Sequence, residues 1–333
     1  MKALVYLGPR RMELQDLPEP SPAPGEVRVR MRASAICGSD LHGFREASPR
    51  RVPPLVMGHE AVGDIDAVGD DVDPSVVGSR VVAMPLVPCG TCPRCLEGRS
   101  NLCPRRRLMG MSFPGAFAEA FSIPANQVVA MPESLADERG ALVEPLANAV
   151  HAVARSVGTG DDVLVIGAGA IGLFAARTAL LDGARRAFVV DKLPSRLRLA
   201  AALGAEPLPP EGAPDALAEA TSGEGVDVVI DAVGMDSTWQ LALGAVRFGG
   251  RIEAVGLGSL EGPLAYQTLI SKGASVTGSY ACLPADFTRA CQLLASGDID
   301  VGPWITRKPL REGQAAFEAL ADGAAYTKVV LEP

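Results

Sequence analysis

Residues 163–172 read VLVIGAGAIG, and they decide the fold. A short apolar run ends at Gly167, glycines recur at Gly169 and Gly172, and a stretch rich in Ala and Leu follows to about residue 181. An apolar run bounded by glycine reads as a buried strand, and the Ala/Leu stretch as a helix. Gly167 permits a tight turn, Gly169 lets backbone approach a ligand, and Gly172 lets the helix pack closely on the strand. With Ala170 and Ile171 they open a helix whose free N–H groups suit a pyrophosphate.

The same rhythm continues downstream. AFVV ends at Asp191, a helical pattern covers about 195–203, VDVVI ends at Asp231, a further helical pattern covers about 237–246, and RIEAV follows. Strands alternating with helices predict βαβ units and a parallel sheet. The segment 204–214, GAEPLPPEGAP, reads as a loop inside this domain. Asp191 lies 19 residues beyond Gly172. A carboxylate there accepts both ribose hydroxyls and repels a 2′-phosphate, which favours NAD over NADP. Lys192 and Arg196 pull the other way, since either can receive a phosphate, and Arg196 is counted within the cofactor site. Val233, Val255 and Gly256 are expected on the nicotinamide side.

Upstream the texture differs. Residues 26–32, EVRVRMR, alternate apolar with basic, the period of a half-buried strand. The preceding PEPSPAPG is turn-rich, and β-like runs recur near 61–68 and 80–84. This predicts a compact β domain with long loops. A last helical pattern, about 312–321, and the strand-like TKVVL close the chain. The expected division is a β domain over 1–147, completed by about 295–333, and a nucleotide-binding domain over 148–294.

The chain has 333 residues, a length that suggests two domains. It has 31 Lys+Arg against 39 Asp+Glu, a net charge of −8, which argues against nucleic acid or an anionic membrane as partner. The uncharged run 163–176 is too short and too glycine-rich to span a bilayer, and residues 1–14 show no signal-peptide core. A cytoplasmic protein is expected.

Four of the seven cysteines, Cys89, Cys92, Cys95 and Cys103, fall within fifteen residues. In a reducing compartment such clustering reads as metal ligation, and four thiolates suit a closed structural zinc. The neighbouring Arg105, Arg106 and Arg107 read as a solvated face. A second constellation is dispersed: Cys37-Gly-Ser39-Asp40-Leu-His42, then Gly58-His59-Glu60, and much later Val143-Glu144-Pro145-Leu146. One thiolate, one imidazole and one or two carboxylates leave a zinc position open to water or substrate. Taken singly, Cys37, His59 and Glu144 each have an ordinary alternative as a core cysteine, a buried histidine or a helix-start carboxylate. His151 reads as structural, and Phe44, Phe113 and Tyr280 as core packing.

Together these motifs resemble the zinc-dependent medium-chain dehydrogenase/reductase family. Its GHExxGxxxxxGxxV zinc signature is matched from Gly58 to Val72. VEPL resembles the sorbitol, threonine and butanediol dehydrogenase branch, which has Glu144 where classical alcohol dehydrogenases carry a cysteine. The resemblance implies an α/β protein: a GroES-like β domain carrying catalytic and structural zinc, with its C-terminal segment returning to it, and a Rossmann domain carrying NAD. It implies two Zn2+ per chain, with Cys37, His59 and either Glu60 or Glu144 on the catalytic one. A thiolate and one carboxylate leave that zinc near neutral and a good Lewis acid, so one carboxylate at a time is expected. The implied reaction moves hydride between a secondary alcohol (polyol, cyclitol, diol or hydroxy amino acid) and NAD, with Ser39 passing the proton through the cofactor ribose to His42 and Asp40 orienting His59. The small-molecule partner is the alcohol or its ketone, and a homodimer or homotetramer is implied. A sugar-phosphate polyol dehydrogenase and a non-catalytic nucleotide binder are the competing readings.

Overall fold

A computed structural model describes residues 1–259, 261, 262 and 264–333. The chain forms two compact units. Met1–Glu144 and Leu283–Pro333 make the first, and Pro145–Cys282 the second. The whole helix Pro284–Ser296 therefore belongs to the first unit, whose return was expected only from about residue 295.

The first unit is built on a seven-stranded sheet. Its path runs Val128–Ala130, Arg80–Ala83, Glu60–Val68, Glu26–Ala35, Lys328–Glu332 and Ile305–Pro309, with Ala120–Pro124 also paired to Glu26–Ala35. The alternation in EVRVRMR acts as written. Val27, Val29 and Met31 are buried, while Arg28, Arg30 and Arg32 turn outward to Asp66, Asp64 and Asp137. Two signature glycines serve this sheet. A Cβ at Gly63 would strike the carbonyl oxygen of Arg30, and one at Gly69 that of Ala23. The last strand is antiparallel to Glu26–Ala35, with Val330 opposite Ala35 and Ala35 opposite Glu60. The C-terminus is thereby laid beside the point where the chain leaves the sheet for Cys37. In the core beneath, Phe317 meets the Phe44 ring at a tilt and the Phe117 ring edge to face.

The second unit is a Rossmann sheet of six parallel strands, ordered Glu206–Leu208, Arg186–Val190, Asp162–Ile166, Val226–Asp231, Val246–Ala254 and Ser275–Gly278. The strand Asp162–Ile166 is buried along its length, as a central parallel strand must be. Helices Ala170–Leu181, Pro194–Ala202, Ala213–Ala220 and Asp236–Ala245 alternate with the strands. Segment 204–214 is not the plain loop expected. It contributes the edge strand Glu206–Leu208 and the first residues of the helix Ala213–Ala220. Pro207 is tolerated because an edge strand leaves one backbone side unpaired. Among the described residues, no helix is long and apolar enough to cross a membrane.

Candidate functional site: a metal centre and a nucleotide cradle

Cys37 stands at the N-cap of the helix Gly38–Arg45. Its Sγ accepts from the Ser39 backbone N–H, and its own N–H donates to Asp40 Oδ2 at 3.3 Å. The other Asp40 oxygen, Oδ1, lies 3.4 Å from His59 Nδ1. One fully buried carboxylate thus ties together the residues on both sides of the site. With Nδ1 turned to Asp40, Nε2 is the nitrogen left for a ligand. Burial opposes a charge on His59, but Asp40 and the Cys37 sulfur outweigh it and hold the imidazole well above its usual range. The same negative surroundings favour a metal cation.

Gly58 makes the approach possible. Its φ is +94°, and a Cβ there would sit 2.7 Å from the Phe117 ring. His59 then enters the sheet, with Glu60 opening the strand Glu60–Val68. Among the described residues, Cys37, His59 and Glu60 present one donor atom each, all within 4.8 Å of one another. Glu144, buried at the start of the helix Val143–Ser156, falls outside that circle, yet its charge still reaches Glu60. Burial raises Glu60 to about 7; Lys328 opposes the rise and Glu144 adds to it. Ser39 Oγ sits 3.4 Å from Cys37 Sγ, and His42 is exposed one turn further along the helix.

Two residues of this site carry no motif and were missed in the sequence. Lys328, in the last strand, has its Nζ on both Glu60 oxygens. Arg51, only 5% exposed, donates from NH2 to Asp40 Oδ1 and to Ser39 Oγ. A buried cation in a site of acidic donors is the signal that finds both, and it exists only after folding.

The four clustered cysteines converge as well. Their sulfurs lie 3.9 Å apart for Cys89 and Cys95, 3.5 Å for Cys92 and Cys95, and 3.8 Å for Cys92 and Cys103. Zinc holding four sulfurs at about 2.3 Å sets them about 3.8 Å apart, so the cluster fits a tetrahedral ion. Hydrogen bonding from the Thr91 backbone lowers the Cys89 thiol to about 5, while burial and neighbouring sulfurs raise Cys95 to about 11. Of the three arginines, Arg105 bonds Thr91, Arg106 bonds the Cys103 carbonyl, and Arg107 lies over the Phe113 ring. Phe44 is core, as expected.

In the second unit the three glycines divide the work. Gly167 has φ +94°, and a Cβ on it would lie 2.5 Å from Val233 Cγ2. A Cβ on Gly172 would strike the Gly167 carbonyl oxygen. One on Gly169 meets no described atom within 4 Å, so the space before the helix Ala170–Leu181 is open to a ligand. Asp191 accepts from Ala168 N at 2.7 Å and from Leu193 N at 2.8 Å, which fixes its carboxylate against the glycine turn. Arg196 NH1 stands 3.8 Å from it. Asp231, also missed, is fully buried and accepts from Val233 N, Gly234 N and Thr238 Oγ1. Its backbone carbonyl takes Val255 N and Gly256 N. It therefore gathers Val233, Val255 and Gly256 at the ends of adjacent strands.

The family model described as alcohol dehydrogenase GroES-like domain matches residues 23–133, and that described as zinc-binding dehydrogenase matches residues 170–296. An L-threonine 3-dehydrogenase of Pectobacterium atrosepticum is 34% identical over 99% of this chain and 94% of its own length. An alcohol dehydrogenase from E. coli CFT073, solved with NADH, superposes with a TM-score of 0.92 at 30% identity, over 100% of this chain and 99% of that one. A zinc-binding dehydrogenase from Sinorhizobium meliloti 1021, solved with NADP, gives 0.90 at 29% identity, again over 100% and 99%. The chain belongs to the zinc-dependent medium-chain dehydrogenase/reductase family, and it is an alcohol oxidoreductase that works with zinc and a nicotinamide cofactor.

Proposed function

We propose that the chain oxidises a secondary alcohol with NAD, using a zinc ion held by Cys37, His59 and one carboxylate, Glu60 or Glu144. The observation that carries this reading is the convergence of thiolate, imidazole and carboxylate donors within 4.8 Å. Zinc held there supplies Lewis-acid polarisation of an alcohol oxygen. Asp40 holds the tautomer and aim of His59. Lys328 cancels the charge of one glutamate, so Cys37, both carboxylates, Lys328 and a divalent ion sum to zero, and only one carboxylate has to touch the metal. Ser39 Oγ accepts the alcohol proton as it gives up its own hydroxyl hydrogen, and the exposed His42 delivers the released proton to water.

Asp191 selects NAD, because its carboxylate accepts ribose hydroxyls and repels a 2′-phosphate. Gly167, Gly169, Ala170, Ile171 and Gly172 cradle the pyrophosphate, Arg196 flanks the adenosine ribose, and Val233, Val255 and Gly256 line the nicotinamide. Cys89, Cys92, Cys95 and Cys103 hold a second, structural zinc. The edge strand Ser275–Gly278, with Val276, Tyr266 and Ile270 exposed beside it, supports self-association as a homodimer or homotetramer. Ligand thiolates kept reduced suit a cytoplasmic location.

The test is a panel of β-hydroxy amino acids, vicinal diols, cyclitols, sugar alcohols and phosphorylated polyols, each with NAD and NADP, read by reduced-cofactor absorbance beside zinc analysis. The threonine-acting relative makes β-hydroxy amino acids the first class to try. NADP preferred over NAD would overturn the cofactor assignment. Turnover restricted to phosphorylated polyols would replace the substrate class.

A further inference from the structure

Arg51 stands at the Cys37–His59 site, and three observations single it out. It is 5% exposed, and burying a guanidinium is costly unless it is paired and hydrogen-bonded. Its NH2 nitrogen carries two hydrogens and meets two acceptors, Asp40 Oδ1 at 3.1 Å and Ser39 Oγ at 3.2 Å. The fold also clears a path for its stem: a Cβ at the buried Gly43 would lie 2.5 Å from Arg51 Cδ, so any other residue at position 43 would push the arginine out of its slot. The turn that delivers it closes through Arg51 N–H to the Ser48 carbonyl at 3.1 Å.

Both acceptors touch candidate zinc ligands. Asp40 faces His59 Nδ1 with the same oxygen that Arg51 holds, and Ser39 Oγ faces Cys37 Sγ at 3.4 Å. With Arg51 donating to its oxygen, the Ser39 hydroxyl hydrogen is left for the sulfur. Without Arg51, Asp40 can rotate away from His59, and Ser39 can turn to other partners.

We propose that Arg51 is a positioning residue of the zinc centre, holding through one nitrogen the carboxylate that aims His59 and the hydroxyl that faces Cys37. This rests on the zinc reading above. Partners of metal ligands typically contribute 10–100-fold to metal affinity or activity.

The experiment measures zinc retention by the full-length holoenzyme against a chromophoric chelator. Wild type should yield two zinc ions per chain. In Arg51→Met, one of the two should be held about 10–100-fold more weakly and the other as in wild type. Arg51→Lys, which keeps the charge but not the fork, should recover part of the loss. Gly43→Ala, which displaces the stem without touching a charge, should reproduce the defect. Adding Arg51→Met to Asp40→Asn should cost less than the sum of the two single losses, because the part of the Arg51 effect that runs through Asp40 is already gone and only the Ser39 part remains. If Arg51→Met does not fold, Arg51→Gln and Gly43→Ala carry the same comparison. Both zinc ions retained at wild-type affinity, with only a lowered melting temperature, would overturn the proposal, as would additive losses in the double variant. A wild type holding fewer than two zinc ions would instead overturn the underlying zinc assignment, and the proposal with it.

Discussion

Lys328 Nζ lies 2.6 Å from Glu60 Oε2 and 2.7 Å from Oε1, both side chains are buried, and 268 residues of chain separate them. The last strand is thus fastened to the third residue of the zinc signature. Burial pulls Lys328 down, but Glu60 outweighs it and holds the amine above its ordinary value. A buried pair of this kind is costly to break one-sidedly, because the surviving charge is left unpaired.

Lys328→Met should therefore destabilise the first unit by about 3–5 kcal/mol. The double variant Lys328→Met/Glu60→Gln should recover much of that loss, since no orphan charge remains. Urea unfolding of the two variants beside wild type decides the matter. Equal destabilisation in the single and double variants would mean that packing of the lysine stem, not its charge, is what counts.

The two sulfur sites should fail in different ways. Cys37→Ser should abolish turnover, remove one zinc per chain and leave NADH binding within about twofold of wild type. Cys92→Ser should remove the other zinc and lower the melting temperature, because its loop is built of the short helices Pro93–Leu96 and Ser100–Leu102 between the two-residue strands Leu86–Val87 and Arg107–Leu108. A loop that cannot bury its own core leans on metal binding for stability. Full activity in Cys37→Ser would sink the zinc chemistry, and an unchanged melting temperature in Cys92→Ser the structural role.

What was legible in the sequence was local. The glycine turn, the four-cysteine cluster and the GHE stretch each carry their geometry within a few residues: Gly58 and Gly167 need positive φ, and Gly172 needs contact with Gly167. What stayed hidden was non-local. Lys328 reads as an ordinary strand residue until Val330 pairs with Ala35 and Ala35 with Glu60. Arg51 sits in a charged, turn-rich stretch that reads as surface, and only the missing side chain at Gly43 admits it to the interior. The strand Glu206–Leu208 was hidden by Pro207, because turn-forming composition outweighs a three-residue β signal unless the edge position is known.

The glycines allow stability and cofactor binding to be separated. Gly169→Ala should leave the unfolding midpoint of the cofactor-free protein within about 1 °C, since its Cβ points into open space. It should still weaken NADH binding by tenfold or more, because that space is where backbone must approach the pyrophosphate. Gly172→Ala should lower both, since its Cβ meets the Gly167 carbonyl. Fluorescence titration with NADH and thermal melts of the same samples check this. Gly169→Ala with wild-type NADH affinity would place the pyrophosphate elsewhere.

A last prediction concerns acid. Asp162 heads the central strand, is 2% exposed, and accepts from Arg185 and Arg186, each through Nε and NH2. Burial raises its carboxyl, but the two guanidinium groups outweigh burial and hold it below the usual carboxylate range. Because the folded value is depressed, the stabilisation is complete above the unfolded value of about 3.9 and disappears as pH falls through the lower, folded one. Asp162→Asn should cost about 2–3 kcal/mol at pH 7, as expected for losing charge-assisted hydrogen bonds to a buried group. The gap between wild type and variant should stay level from pH 8 to about pH 5 and narrow only below about pH 4. Denaturant unfolding across that range measures it. A gap that closes between pH 7 and 5 would mean that the Asp162 carboxyl is not held down by its arginines in the folded protein.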